Sequence, residues 1–219
     1  MSTGAFEFVI QDDAENWYRL DFHVYDDHAK PWFSSVWQRM VVALDAAHKQ
    51  TATSLPEWAQ WKPWDWCEKK RPGYEPRQTI VAWCGGQMAG FMNVWSGIPS
   101  QIDTGQTTLY IEHVAAAPWN QNTELWRRKY RQTGTALLAY AIKLSQDQAM
   151  GGRVSLHASN NSALAFYRKV AEKRTPQLFY GEKSGVTGPT PHGNHDVSKT
   201  YLETTPAGAI NFLEDYRHA

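Results

Sequence analysis

The chain is short of cysteine, of net charge and of long apolar runs. Cys67 and Cys84 are the only cysteines among 219 residues, and two thiols neither build a disulfide framework nor stand at a Cys–His zinc spacing. Lys and Arg total 22, and Asp and Glu also total 22. The resulting formal net charge of zero gives no support for nonspecific binding to nucleic acid or to a membrane surface.

We also expect no segment that directs the protein to a membrane or to secretion. The first thirteen residues, MSTGAFEFVIQDD, contain no basic region followed by an apolar run, so we expect no signal peptide. No apolar stretch approaches the length of a membrane span. We therefore expect a cytoplasmic protein that binds neither nucleic acid nor membrane, with residues 1–219 in a single domain, as a monomer or homodimer.

A strand, a small-residue turn and a helix follow one another from Thr108 onward. Leu109, Ile111 and His113 alternate with Tyr110, Glu112 and Val114, which predicts a strand that ends before Pro118. Next comes the turn Arg131-Gln132-Thr133-Gly134-Thr135-Ala136, and the helix after it buries one apolar face: Leu137, Leu138, Ala141, Ile142 and Ser145. The start of a helix offers free N–H groups to a phosphate, and Gly134 lets a ligand approach the backbone. Taken alone, the turn fits an ordinary helix start better than a phosphate site.

A second strand and a second helix complete the pattern. Gly151-Gly152 ends the first helix, residues 153–158 alternate as a strand, and Asn160 or Asn161 caps a helix. The apolar positions of that helix are Ala163, Leu164, Phe166, Tyr167 and Val170. This order makes a βαβ unit, so the two strands are predicted to be parallel.

These residues resemble the GNAT superfamily of acyl-CoA-dependent N-acyltransferases over about 108–170. The family pattern R/Q-x-x-G-x-G/A is matched by Arg131, Gly134 and Ala136, and N-x-x-A-x-x-x-Y is matched by Asn160, Ala163 and Tyr167. A V-x-x-x-P pattern is matched by Val114 and Pro118. The resemblance implies an α+β fold: a central mixed sheet of about six to seven strands flanked by helices.

The resemblance also implies an activity and a site. It implies transfer of an acetyl group from acetyl-CoA, as co-substrate, to the amine of a small molecule or peptide, with Tyr167 as the acid and Glu112 as the base. The coenzyme-binding residues it implies are Val114, Ala115, Ala116, Arg131, Gln132, Thr133, Gly134, Thr135, Ala136, Asn160 and Tyr167. Competing interpretations are a core tyrosine, a salt-bridged strand carboxylate, a plain helix cap at Asn160, and His113 or His157 as the base.

Two segments depart from the family pattern. Residues 119–130, WNQNTELWRRKY, lengthen the connection between the proline and the motif arginine. This insertion is either a surface excursion or a contact with coenzyme or acceptor. Residues 168–172, RKVAE, replace the K-x-G-F segment that often follows the tyrosine in the family.

The rest of the chain shows local signals. Two strands, 79–84 and 88–95, flank a glycine turn and predict a hairpin, and residues 5–10, 177–182 and 198–203 predict further strands. Asp12 or Asp13 suggests the cap of a helix through Trp17 and Leu20, and Ser34 or Ser35 the cap of a helix over about 36–49. Thr205-Pro206 begins a final helix, with Ile210, Leu213 and Phe212 facing the domain.

The sequence does not identify the acceptor of the acetyl group. The resemblance implies that the N-terminal part (about 12–77) shapes the acceptor pocket. Carboxylates beside aromatic rings attract cations, which favours an amine acceptor. The carboxylates and rings in this part are Asp21, Asp26, Asp27, Glu57, Trp58, Trp61, Trp64 and Trp66. A tryptophan-rich subcore is the alternative. A metal site at His192, His195 and Asp196 lacks a convincing ligand set. Two other functions stay open, a non-catalytic acyl-CoA-binding module and transfer to a hydroxyl.

Overall fold

The computed structural model describes residues 6–26, 28–56, 59, 77–179, 183–184, 189–190, 193–194 and 199–217. The helices described are α1 (Gln38–Thr51), α2 (Thr133–Asp147), α3 (Asn161–Arg174) and α4 (Pro206–Arg217), with a π-helical turn at Trp32–Trp37 and a 3-10 turn at Pro118–Asn120. The strands are β1 (Phe8–Gln11), β2 (Trp17–Val24), β3 (Arg77–Cys84), β4 (Gln87–Pro99), β5 (Thr107–Ala116), β6 (Val154–Ala158), β7 (Lys183–Ser184), β8 (Pro189–Thr190), β9 (Gly193–Asn194) and β10 (Thr200–Glu203).

Eight of these strands form one mixed sheet, in the order β1-β2-β3-β4-β5-β6-β10-β7. The β5–β6 pair is parallel and the other pairs are antiparallel, so the predicted βαβ unit and the α+β fold class are confirmed. The predicted hairpin is confirmed as β3–β4, where Gly85 and Gly86 both have positive φ. The sheet has one strand more than the largest number expected, and β7 is only two residues long.

The helix predicted after Asp12 and Asp13 is wrong. That segment is the turn of a β1–β2 hairpin, and Trp17 and Leu20 lie on β2. Asp12 caps the turn instead of a helix, because its Oδ1 accepts the backbone N–H groups of Ala14 and Asn16 at 2.9 Å. The same side chain that caps a helix also closes a turn, and pairing of β2 with β3 decides between them.

Two further expectations are corrected at helix ends. Neither Ser34 nor Ser35 caps α1, because both lie within the π-helical turn before it, and the Ser34 hydroxyl donates to the carbonyl of Lys30. At the other end of the chain, Ile210 is exposed, and Phe212 and Leu213 anchor α4. Thr205 caps α4 as predicted, since its Oγ1 accepts the N–H of Gly208 at 2.9 Å.

Both faces of the sheet are covered by apolar side chains. On one face, α2, α3 and α4 pack against alternate residues of the central strands, such as Ile80, Leu109 and Leu156. On the other face, α1 and the turn before it contribute to a set of rings that we call the aromatic cluster: Trp32, Phe33, Trp37, Phe91 and Trp119. The part of β5 beyond Glu112 therefore lies between two cores.

The 119–130 insertion folds back onto the aromatic cluster. Asn120 is buried, and it donates to the Ala89 carbonyl at 2.8 Å and accepts the Tyr130 N–H at 3.2 Å. Trp126 donates its indole N–H to the Pro118 carbonyl at 2.9 Å. The insertion is thus packed against the sheet face that carries α1, where it borders β5 through Ala117. Within the described helices, no segment is long and apolar enough to cross a membrane.

Candidate active site

The edge of β5 opens where its pairing with β6 stops. The parallel ladder joins Leu109–Ile111 to Val154–Leu156, whereas β4 stays paired with β5 as far as Ala116. From Val114 to Ala116 the edge that faces β6 has no strand partner among the described residues. Backbone N–H and C=O groups on such an edge are free to pair with an extended ligand arm. Val114, Ala115 and Ala116, which the resemblance implies as coenzyme-binding residues, form this end of β5.

A β-bulge changes which way the side chains of β5 point. Asn93 pairs with His113 and Val94 pairs with Ile111, so Glu112 is the extra residue in β5. The regular alternation expected for this strand is therefore wrong after Ile111: the His113 Nδ1 lies 3.4 Å from the amide of Asn93 and 3.7 Å from the Glu112 carboxylate. A bulge re-aims neighbouring side chains in this way, and it brings the two rival bases together.

Glu112 sits in a polar pocket made by the neighbouring strands. Its Oε2 accepts the indole N–H of Trp95 at 2.9 Å and lies 3.3 Å from the guanidinium Nε of Arg77. Its side chain is 17% exposed, so it keeps contact with solvent. The salt-bridged carboxylate considered from sequence is thus present. Its role as base stays a prediction that this geometry allows.

Tyr167 is buried on α3, with Phe166 and Phe179 edge-on to its ring. Burial, and secondarily the nearby Tyr110, raise the pKa of its phenol well above the ordinary value of 10. The phenol is therefore protonated at neutral pH, as a proton donor must be. Burial also raises the pKa of Tyr110, and the negative charge of Glu112 raises it by a smaller amount. Tyr110 is therefore within electrostatic reach of both predicted catalytic residues.

The predicted phosphate turn is the first turn of α2. Gln132 has φ +66°, and the first helical hydrogen bond runs from the Ala136 N–H to the Gln132 carbonyl at 2.9 Å. The N–H groups of Thr133, Gly134 and Thr135 thus precede the helical ladder and have no acceptor within the helix. The Thr133 Oγ1 is buried without a hydrogen-bond partner, although buried hydroxyl groups are normally satisfied. A phosphate oxygen at this turn would supply the missing partner.

Other residues of the predicted coenzyme set have contacts within the chain. A Cβ on Gly134 would lie 2.8 Å from the Phe166 Cζ, so the ring fills the space that was expected to admit a ligand. Arg131 pairs with Asp13 at 2.7 Å, and the Gln132 Oε1 accepts from Arg174 at 2.9 Å. Asn160 caps α3 through the Ala163 N–H at 2.7 Å, while the side chains of Thr135 and Ala136 are buried.

The phosphate turn packs over Gly90 of β4, next to the end of β5. A Cβ there would lie 2.7 Å from the Ala115 carbonyl oxygen and 3.1 Å from Cγ2 of Thr133. No side chain larger than hydrogen fits without displacing one of them. The absence of a side chain at Gly90 therefore lets the start of α2 lie close to β4 and to the end of β5.

Several residues of the site were not found from sequence. They are Arg77 and Trp95 around Glu112, Tyr110 between the catalytic candidates, Phe166 on Gly134, and Asp13 on Arg131. The hairpin turn alone predicts a register one residue away from the observed Arg77–Trp95 pair, because a bulge in β4 near Ala89 shifts it. The contacts of Phe166 with Gly134 and of Asp13 with Arg131 join distant parts of the chain, and no local pattern signals them.

On the acceptor side the structure describes only part of the predicted set. Asp21 lies on β2, 3.3 Å from Arg19, and the Asp26 Oδ1 accepts the N–H of His28. The other predicted residues lie outside the described residues: Asp27, Glu57, Trp58, Trp61, Trp64, Trp66, His192, His195 and Asp196. His157 places its Nδ1 3.1 Å from the Tyr110 hydroxyl. In the described ranges no group of three or more His, Cys, Asp or Glu side chains is arranged to hold a metal ion.

Comparison with known proteins finds similarity only among solved structures. No protein-family model and no curated protein matches the chain. The similar structures include histone acetyltransferase HPA2 and related acetyltransferase from Corynebacterium glutamicum, at 14% identity over 85% of this chain and 96% of that one, with a TM-score of 0.48. An acetyltransferase from Salmonella typhimurium that modifies the N-terminal serine of a ribosomal protein is 12% identical, with coverages of 84% and 93% and a TM-score of 0.46. The PaiA N-acetyltransferase from Thermoplasma acidophilum, in complex with coenzyme A, is 11% identical, with coverages of 85% and 98% and a TM-score of 0.44.

The chain's own topology carries the assignment of fold. An antiparallel β4–β5 pair, a bulge in β5 and a parallel β5–β6 pair that splits before the end of β5 give the GNAT-like α+β sheet that the motifs implied. The start of α2 and the N-cap of α3 fall where the two motif patterns predicted them.

Proposed function

We propose that this protein is an acyltransferase that moves an acetyl group from acetyl-CoA to an amine of a small molecule or peptide. The observation that carries the proposal is that the amide-rich start of α2 packs over Gly90, next to the end of β5 that has no strand partner on its β6 side among the described residues. The turn offers N–H donors and the Thr133 hydroxyl to a pyrophosphate, and the strand edge offers backbone pairing to the amide-containing arm that follows it. A ligand with both features is a coenzyme A thioester.

In this proposal, residues near the end of the β5–β6 pairing carry out separate steps of the reaction. An amine attacks a carbonyl only in its unprotonated form, so a base must take a proton from the ammonium. In this proposal Glu112 takes it, directly or through water, and the Trp95 indole with the Arg77 guanidinium hold the carboxylate in place. The bound coenzyme supplies the activated acetyl carbonyl. Strand N–H groups of β5 support the charge that develops on its oxygen.

Tyr167 would complete the transfer at the departing sulfur. The new C–N bond forms as the C–S bond breaks, and the sulfur leaves with the electron pair of that bond. The phenol is protonated at neutral pH, and in this proposal Tyr167 donates that proton to the thiolate. The attacking nitrogen loses a second proton as the amide forms, and the phenol regains a proton from solvent, so ammonium and thioester give an amide, a free thiol and one released proton.

A thiol-release assay tests the proposal directly. The purified protein is first analysed by mass spectrometry for co-purified coenzyme, and binding of coenzyme A and acetyl-CoA is measured by calorimetry. Acetyl-CoA is then offered with a panel of small amines, peptides and alcohols, and free thiol is followed with time. We expect turnover with an amine, and a loss of about 100-fold or more in kcat for Tyr167→Phe, the range typical of a general acid.

A matched control separates chemistry from packing. Tyr140 is a half-buried tyrosine on α2 whose ring stacks on Phe22, and Tyr140→Phe should keep wild-type turnover. Equal rates for wild type and Tyr167→Phe would refute the acid role. Tight coenzyme binding with no thiol release across the panel would favour the non-catalytic acyl-CoA-binding module. An alcohol as the best acceptor would replace the amine in the proposal.

A further inference from the structure

Two arginine side chains converge on one carboxylate beside the start of α2. The guanidinium Nε of Arg131 lies 2.7 Å from the Asp13 Oδ1, and the Nε of Arg128 lies 3.6 Å from the same oxygen. Arg128 belongs to the 119–130 insertion, Arg131 opens the phosphate turn, and Asp13 lies in the β1–β2 turn. Three separate segments of the chain thus meet at a single anion.

Asp13 satisfies this pair of cations only in part. Its hydrogen bond to Arg131, together with the charges of Arg131 and Arg128, lowers the pKa of the Asp13 carboxyl below its ordinary value. The Nε of Arg128 is nevertheless enclosed and has no hydrogen-bond acceptor, because 3.6 Å is too long for a hydrogen bond. One negative charge therefore faces two positive charges, and one enclosed donor is unpaired.

The arginines are held in place by their backbones. The Arg131 N–H donates to the Gln11 carbonyl at 2.6 Å, and the Arg128 N–H donates to the Asn122 Oδ1 at 3.1 Å. The side chains of Arg128 and Arg131 are 36% and 40% exposed, so a ligand can reach both from solvent. A guanidinium pair fixed in this way has the geometry and charge for a phosphate group, which offers three oxygens and up to two negative charges.

We propose that Arg128 and Arg131 bind the 3′-phosphate of coenzyme A, and that Asp13 occupies their site in the free protein. This inference rests on the proposed function. In that proposal the amides and Thr133 at the start of α2 take the pyrophosphate. The adenosine 3′-phosphate is then the remaining phosphoryl group of the coenzyme, and Arg131 immediately precedes the turn. Asp13 acts as an internal competitor, so the 3′-phosphate contributes less binding free energy than it would if neither arginine were paired with Asp13.

Calorimetry with coenzyme A and with 3′-dephospho-coenzyme A tests the assignment. For wild type we expect coenzyme A to bind more tightly than the dephospho form. Arg128→Ala should weaken binding of coenzyme A about tenfold, the size of one charge-assisted hydrogen bond, and leave the dephospho form unchanged. Asp13→Asn should tighten binding of coenzyme A a few-fold without affecting the dephospho form, because it removes the competitor.

Arg127→Ala is the matched control. Arg127 is the exposed neighbour of Arg128 and carries the same charge, but among the described residues it makes no ion pair with Asp13. Its substitution should weaken both ligands little and equally. Arg128→Lys keeps the charge but loses the planar fork, so we expect an affinity for coenzyme A between wild type and Arg128→Ala.

The outcomes separate this inference from the proposed function. If coenzyme A binds and turns over but Arg128→Ala weakens both ligands alike, the 3′-phosphate assignment is wrong and the acyltransferase stands. If Asp13→Asn weakens binding of coenzyme A, Asp13 positions the arginines rather than competing, and the exchange is refuted. If neither ligand binds wild type, both proposals fall together.

Discussion

Gly134→Ala distinguishes two roles for the glycine at the phosphate turn. The new methyl would lie 2.8 Å from Cζ and 3.2 Å from Cε2 of Phe166, whereas carbon atoms in contact sit about 3.5–4.0 Å apart. Overpacking of this kind costs about 1–3 kcal/mol, and replacing glycine by alanine in a helix returns up to about 1 kcal/mol. We therefore expect a net loss of about 1 kcal/mol in the free energy of unfolding, or about 2–4 °C in Tm.

A second background tests the cause of that loss. Phe166→Leu removes the ring atoms that the methyl would meet, so Gly134→Ala should become neutral or stabilising there. Urea denaturation of wild type, both single variants and the double variant gives the coupling energy between the two positions. Equal effects of Gly134→Ala in both backgrounds would refute the contact with Phe166.

Coenzyme binding to the same four proteins tests the role expected from sequence. If glycine is needed for the close approach of a phosphate, Gly134→Ala should weaken coenzyme A binding in both backgrounds by a similar factor. If the glycine only accommodates Phe166, the affinity should recover in the double variant. The two roles are not exclusive, and the stability and binding data report them separately.

Three shorter predictions follow from other contacts. The buried hydroxyl of Thr133 lacks a partner, so Thr133→Val should raise the free energy of unfolding by about 1 kcal/mol and weaken coenzyme A binding. The control is Thr108→Val, which should destabilise the protein because the Thr108 hydroxyl lies 2.6 Å from the Ser155 Oγ. Stability changes of the same sign for both variants in urea denaturation would contradict this prediction. Trp95→Phe removes the indole donor to Glu112 and should lower kcat/KM about tenfold in the thiol-release assay, and unchanged kinetics would show that the bond does not matter for turnover. Asp12→Asn should reduce the stability of the protein less at low pH than at neutral pH. Hydrogen bonds, chiefly from the Asn16 side chain, lower the pKa of Asp12 below 3.8. The Asp12 carboxylate therefore stabilises the fold above pH 3.8, and this stabilisation is lost as the pH falls through the lowered pKa. Urea denaturation at pH 6 and pH 3 measures the difference between wild type and Asp12→Asn, which should be smaller at pH 3.

The sequence by itself determined the elements whose signals are local. Alternation predicted β6 and the part of β5 before its bulge, and the two glycines predicted the β3–β4 hairpin. The apolar face of α2 is buried as its spacing predicted. The motif order placed the phosphate turn and the cap of α3 within a few residues, because helix starts depend on side chains close in sequence. Where a local signal had two solutions, as at Asp12, pairing with a distant strand decided the outcome.

Only the tertiary structure decided how the site is assembled. The bulge at Glu112 brings His113 beside it, and strand register sets Trp95 and Arg77 around the carboxylate. Likewise, Phe166 reaches Gly134 and Asp13 reaches Arg131 across more than thirty residues of chain. Such contacts depend on register, bulges and the packing of separate elements, which are fixed by the whole core and leave no periodic trace in the residues that make them.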